Sequence, residues 1–261
     1  MQTFSSESLS MRVSGRVGTL TFTRPERRNP LSVPTMHEFI DKLERLSNME
    51  EVAVIVIGST GNAFCSGHDL REIHGAGLEE ERELFALCST LMQLIQQIRQ
   101  PVIAAVQGIA AAAGVQLVAT CDLAVASDES RYFTPGVKMG LFCSTPMVAI
   151  SRAIGRKRAL QMLMTGQHID AHTAAQWGLI NEVVSHDELD GRVMALAEQI
   201  AQSSTLVLKV GKQAFYQQIE LSQAKAYELM SETMAVNAVT CDAREGIGAF
   251  FEKRTPQWKG A

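Results

Sequence analysis

The run VAVIVIGS at positions 52–59 constrains the fold of this chain more than any other stretch. It is rich in β-branched residues and does not alternate with polar ones, the pattern of a strand buried on both faces. Such a strand needs cover on each side, so a layered α/β domain is expected. VIAAV (102–106) and DLAVAS (122–127) repeat the pattern and predict two more buried strands.

Helical patterns separate these runs. RVSGRVGTLTF, with Gly15 and Gly18, predicts an N-terminal hairpin. RPERRNPLS reads as a polar loop, with Ser32 as N-cap and Pro34 in the first turn of a helix. Met36, Phe39, Ile40, Leu43 and Leu46 then form one apolar stripe. From Leu78 to Gln100, acidic residues crowd the first turn, and Leu84, Phe85, Cys88, Leu91, Met92, Ile95 and Ile98 share a face until Pro101 ends the helix. Strand, helix, strand, loop and helix repeat, and helices dominate after about residue 144. Asp170 is expected to cap a short helix that Gly178 closes. Beyond residue 200 only helical periodicity remains, in SSTLVLKVGKQAFYQQIE, LSQAKAYELMSETMAVNAV and AREGIGAFFEKR. The expected organisation is a core over 1–199 and a helical region over 200–261, serving as a lid or an oligomerisation element.

Charge and cysteine usage remove several functions. A net charge of -4 provides no basic field for nucleic acid or an anionic membrane. The longest apolar stretch, Val102 to Ala119, is broken by Gln107, Gly108, Gly114 and Gln116, so no membrane span is expected. Cys65, Cys88, Cys121, Cys143 and Cys241 are odd in number, scattered and without CxxC spacing. They read as free thiols of a reducing compartment, with no metal site. MQTFSSESLSMRV has no apolar h-region and reaches its first Arg at Arg12, a poor match to a secretory or transit peptide. A cytoplasmic location is the expectation.

Two loops offer chemistry. In FCSGHDL, Gly67 precedes His68 in a turn following a buried strand, where a backbone N–H can be left unpaired. In QGIAAAAGVQLVATCD, four alanines and Gly114 stand between a strand and a helix. Small side chains there allow a ligand to approach the backbone, and a helix N-terminus offers free N–H groups. Two converging donors make an oxyanion hole, in which each donor contributes about 3 to 4 kcal/mol to transition-state stabilisation. Close helix–strand packing is the alternative explanation for the small residues.

These loops, together with RVGTLTFTRPERRNPLS, PVIAAVQGIAAAAGVQLVATCD, TPGVKMGLF, MLMTGQHIDAHTAAQWGLINEVV and REGIGAFFEKR, resemble the crotonase, or enoyl-CoA hydratase/isomerase, superfamily over almost the whole chain. The resemblance implies an α/β crotonase (ClpP/crotonase-like) spiral of repeated ββα units with a C-terminal helical trimerisation region, forming homotrimers or hexamers. It implies an acyl-CoA or enoyl-CoA thioester as partner in fatty-acid metabolism. Coenzyme A would be part of the substrate, with no tightly bound cofactor. The thioester oxygen would be held by the N–H groups of His68 and Ala113, the latter standing where the family usually has Gly. Arg28 would lie near the CoA phosphates, and Ser66, Gly67, His68 and Asp69 would flank the adenine-bearing arm. Phe250 and Lys253 would reach the CoA of a neighbouring subunit.

The family's two catalytic glutamates map to Gln116 and Gly136, which follows Pro135. An amide does not accept a proton at neutral pH, and glycine has no side chain. General acid–base groups typically contribute about 10² to 10⁴ in rate, so weak or altered hydration is expected. His68, Asp69, Lys138 and Cys143 are the nearby candidates for a replacement base. The His68 side chain is expected to face solvent, Asp69 to cap, Lys138 to be a surface charge and Cys143 to be a buried, inert thiol. The enoyl-CoA hydratase domain-containing subgroup, with AAAAGxQL, TPGV and GLFCSTP motifs, is similar at these departures. A non-catalytic acyl-CoA-binding protein and a crotonase-type isomerase or thioesterase are the alternatives.

Overall fold

The computed structural model describes residues 8–261; the part of the N-terminal stretch read above that precedes residue 8 lies outside them. β1 (Leu9–Ser14) and β2 (Val17–Phe22) form the expected hairpin, Leu9 opposite Phe22 and Ser14 opposite Val17. Its two-residue turn uses Gly15 at φ 56°. β3 (Val54–Ser59), β5 (Val102–Val106), β7 (Leu123–Ser127) and β10 (Glu182–Val184) extend from β2 in parallel, giving one six-stranded sheet in the order β1-β2-β3-β5-β7-β10. A second sheet has the order β4-β6-β8-β9, from β4 (Ala63–Cys65), β6 (Ile109–Ala111), β8 (Arg131–Phe133) and β9 (Ile169–Asp170).

The chain thus makes successive passes of one strand in each sheet followed by helix. β3 and β4 lead to α2 (Leu70–Ile73) and α3 (Leu78–Gln97), and β5 and β6 lead to α4 (Ala113–Thr120). β7 and β8 lead to a 3-10 turn over Pro135–Met139, then α5 (Ser144–Ile154) and α6 (Arg156–Thr165). This is the repeated ββα unit. The second sheet's strands are three residues or fewer, too short to produce a periodic signal in sequence.

The central strands are covered on both sides, as their composition requires. Ile55, Ile57, Val102, Ala104 and Val106 face α1 (Val33–Asn48), α3 and α4. The alternate residues Val54, Val56, Ile103, Ala105 and Val125 pack on Leu189, Val193 and Ala197 of α8 (Leu189–Ala201). The two helix starts marked in the sequence are capped. Ser32 Oγ accepts the Thr35 N–H ahead of α1, and Asp170 accepts that of Thr173 ahead of α7 (Ala171–Trp177), which Gly178 closes in the left-handed region.

Three helices follow: α9 (Thr205–Gln218), α10 (Gln223–Ala238) and α11 (Cys241–Glu252). Lys212 anchors α9 to the core. Its Nζ donates to the carbonyls of Ile95 (2.7 Å) and Gln100 (2.8 Å) and pairs with Asp122 at 2.7 Å. Burial lowers the ammonium pKa and Asp122 opposes that shift. α10 buries no residue completely; Tyr227 and Met234 on α10, Val239 just after it, and Phe250 and Phe251 on α11 stand exposed.

Candidate functional site

Local sequence explains how the two loops meet. Arg28 and Asn29 both take positive φ (60° and 51°), and the Asn29 side chain stabilises the turn. Its Oδ1 accepts the Arg24 N–H, and its Nδ2 donates to the Thr60 and Ala63 carbonyls. The turn then joins the end of β4: Ser66 N–H donates to Arg28 O, and Leu31 N–H to Gly67 O. Gly67 sits at φ 91°, where a Cβ would lie 3.0 Å from Ala111 O and 3.3 Å from Ala113 N. Glycine brings the two loops together here.

The second loop carries strain. Ala112 adopts φ 48°, ψ -113°, a conformation that favours glycine, and is held by Ala112 N–H to Phe133 O and Gln116 N–H to Ala112 O. Ala113 then begins α4 with helical backbone. Its N–H is one of the orphan donors of a helix start. Among the described residues, neither the His68 nor the Ala113 N–H has a backbone or side-chain acceptor. Ala113 is buried and still contributes to the cavity lining. Close packing explains a different residue of the same loop. At Gly114, a Cβ would stand 2.1 Å from the Cys65 carbonyl oxygen.

A cavity of about 400 Å³ opens above these loops. Leu70, Ile73, Phe85, Phe133, Leu141 and Phe142 give it apolar walls, and Arg28, Ser66, His68, Ala113, Gly136 and Cys143 also line it. Among the described residues, no Asp or Glu lines it. The cavity therefore suits an apolar group carrying a polar end.

The His68 side chain departs from the solvent-facing position expected of it. Its ring packs edge-on against Phe85, with centroids 5.4 Å apart and planes at 89°, and Nε2 is buried with no hydrogen-bond partner among the described residues. Burial pushes the imidazole pKa down to about 4. Asp69 caps α2 as expected; its carboxylate accepts the Arg71 N–H and pairs with the guanidinium at 2.5 Å, away from the cavity lining. Lys138 is an exposed charge.

The two positions to which the resemblance assigns glutamates, 116 and 136, differ from each other. Gln116 is buried in α4 and does not line the cavity; its Oε1 lies 4.0 Å from Cys88 Sγ. Gly136 does line it, yet a Cβ there would fall 2.0 Å from Leu141 O and 2.9 Å from Cys143 Sγ. The Leu141 carbonyl and the Cys143 thiol fill the space a side chain would need. Cys143, at the N-cap of α5, is a half-buried thiol whose pKa burial raises, with the Gly136 N–H bond partly opposing. Phe250 and Lys253, at the end of α11, are exposed and do not line the cavity of their own chain. Phe250 is 78% exposed, which removes a core role.

Comparison with known proteins gives a consistent answer. The family model described as "Enoyl-CoA hydratase/isomerase" matches residues 12–261. Enoyl-CoA hydratase domain-containing protein 3, mitochondrial, from Rattus norvegicus is 43% identical over 250 residues, 95% of this chain and 83% of that protein. The 2,3-dehydroadipyl-CoA hydratase of Escherichia coli is 33% identical over 250 residues, 94% of this chain and 96% of its own. Among solved structures, a Mycobacterium smegmatis enoyl-CoA hydratase superposes with a TM-score of 0.94 at 43% identity, covering 96% of this chain and 98% of its own. Human enoyl-CoA hydratase domain-containing protein 3 gives 0.94 at 42%, covering 96% and 100%. The two sheets, the ββα passes and the C-terminal helices are the crotonase fold, and the chain belongs to the enoyl-CoA hydratase/isomerase family.

Proposed function

We propose that the cavity binds an acyl-CoA or enoyl-CoA thioester, with the His68 and Ala113 N–H groups on the thioester oxygen, and that hydration by the family's two-glutamate route is weak or altered. One observation carries this reading: two unpartnered backbone donors adjoin an apolar cavity that no carboxylate lines. Arg28 contributes the cation at the cavity edge toward the CoA phosphates, and Ser66, Gly67, His68 and Asp69 flank the adenine-bearing arm. Gln116 and Gly136 stand at the positions of the family glutamates and do not supply a proton acceptor. The test is hydration of crotonyl-CoA beside calorimetric binding of butyryl-CoA. Binding with turnover far below that of an ordinary hydratase supports the reading, and ordinary hydratase turnover overturns it.

The absence of carboxylates from the lining equally favours a second reading, a non-catalytic acyl-CoA-binding protein. Conversion of any CoA ester in a mixed panel, followed by mass spectrometry, rejects it, and the products would identify an isomerase or thioesterase. In the same proposal, residues 200–261 form the oligomerisation region of a homotrimer or hexamer, and Phe250 and Lys253 reach a neighbour's CoA. The exposed apolar residues of α10 and α11 support it. A stable monomer by light scattering would remove it. The cytoplasmic location is also part of the reading, tested by cell fractionation; the rat relative's name says mitochondrial.

A further inference from the structure

We propose that the imidazole of His68 is the proton acceptor of this cavity, able to take the α-proton of a bound acyl thioester. The proposal rests on the acyl-thioester reading above and adds the group that moves the proton.

Geometry carries it first. His68 is one of the residues lining the cavity, and its ring is oriented by the edge-on contact with Phe85, another lining residue. The same residue supplies one of the two free N–H groups, which places the ring beside the spot assigned to the thioester oxygen. Buried Nε2 has no partner. An unpaired buried polar atom typically costs about 1–3 kcal/mol, so it marks a position where a ligand or a proton has a role.

The remaining groups around the cavity are poorer candidates. Arg28 has no acceptor atom, and Cys143 keeps its proton because burial raises its pKa. Asp69 is committed to Arg71, and Glu81, one turn ahead of Phe85 on α3, does not line the cavity. Burial alone accounts for the low imidazole pKa of about 4. A free glutamate titrates near ~4.3, so the neutral ring at pH 7 is about as strong a base as the carboxylates missing from positions 116 and 136.

The step balances without a co-reactant. The Cα–H bond breaks and the proton passes to a ring nitrogen. The bonding pair forms a Cα=C bond, and the thioester π pair moves onto the oxygen held by the two N–H groups. Returning a proton to Cα restores the thioester, so in D₂O the α-hydrogens exchange for deuterium.

The experiment follows deuterium uptake into butyryl-CoA in D₂O by mass spectrometry, with binding measured separately by calorimetry. His68→Gln and His68→Ala retain the backbone N–H and lose the imidazole. Expected are wild-type exchange well above the solvent rate and a loss of about 100-fold or more in both variants. Kd should stay within a few-fold. The wild-type rate should be flat between pH 6 and 8 and fall below about pH 5, where the ring protonates, rather than bend near the ordinary imidazole value of about 6.5. Binding without exchange, or exchange unchanged in His68→Gln, overturns the role of His68 and leaves the acyl-thioester reading standing. Absence of binding by wild-type protein overturns that reading, and this proposal with it.

Discussion

Replacing Gly136 by alanine adds one methyl group at a position where the structure leaves no room. The new Cβ would lie 2.0 Å from the Leu141 carbonyl oxygen, 2.9 Å from Cys143 Sγ and 3.2 Å from the Leu141 carbonyl carbon. Contact distance is about 3.5 Å, so the carbonyl must retreat by roughly 1.5 Å or the turn must open. The same carbonyl segment is tied to residue 136, because Leu141 N–H donates to Gly136 O at 3.0 Å. Retreat therefore strains a hydrogen bond as well as the packing. Overpacking of this kind costs about 1–3 kcal/mol. For a chain of this size each kcal/mol lowers Tm by roughly 2–4 °C, so Gly136→Ala should melt about 2–12 °C below wild type. Thermal unfolding followed by circular dichroism reads this directly. An unchanged Tm would refute the reasoning, since it would mean that residues 140–143 do not rest on Gly136 in solution. Gly136→Glu should show the same penalty and no gain in crotonyl-CoA hydration.

Three further outcomes are expected. Gln116→Glu places a carboxylate in a buried position near Cys88, outside the cavity lining, so it should lower stability at pH 7 without restoring hydration, measured by loss of enoyl absorbance. Lys212→Met removes the Asp122 partner and two carbonyl hydrogen bonds; urea unfolding should show a loss of about 3–5 kcal/mol, and a loss under 1 kcal/mol would contradict the anchoring of α9. The His68 imidazole is held near pKa 4 when folded and returns to about 6.5 when unfolded, so the unfolded state binds the extra proton between these values. Wild-type stability relative to His68→Gln should therefore be constant above about pH 7. It should fall as pH drops, by on the order of 3 kcal/mol near pH 4, and parallel curves would reject the buried neutral ring.

Long elements with strong periodicity were readable from sequence. The unbroken run 52–59, the α3 stripe and the Ser32 and Asp170 caps each carry a local physical signal; β3 takes 54–59 of that run, α3 ends at Gln97 rather than Gln100, and both caps lie where expected. The second sheet was not readable. β4, β6, β8 and β9 have two or three residues each, and they pair only because the larger sheet brings them side by side. Side-chain direction at the site was likewise hidden. Sequence put His68 in the loop after β4, but its ring packs edge-on against Phe85, 17 positions away on α3. Likewise, Gln116 shares a short helix with Ala113 yet faces Cys88 rather than the cavity, a matter of helix rotation that spacing alone leaves open.

The small residues of the site divide by physical need. Gly67 and Gly114 cannot take a methyl: one sits at φ 91° against the facing loop, and the other lies under the Cys65 carbonyl. Ala113, where the resemblance expects Gly, has helical backbone, and a donor there needs only its N–H. The strain falls instead on Ala112, at φ 48°, with a cost of order 1–3 kcal/mol that the Phe133 and Gln116 hydrogen bonds must offset. A hole made of backbone atoms can thus tolerate a changed side chain as long as neighbouring contacts hold the chain in place. Proton transfer has no such tolerance, because it needs a particular side-chain atom within reach of Cα. With no Asp or Glu among the described residues that line the cavity, the proposed acceptor is the buried His68 imidazole rather than a side chain at position 116 or 136.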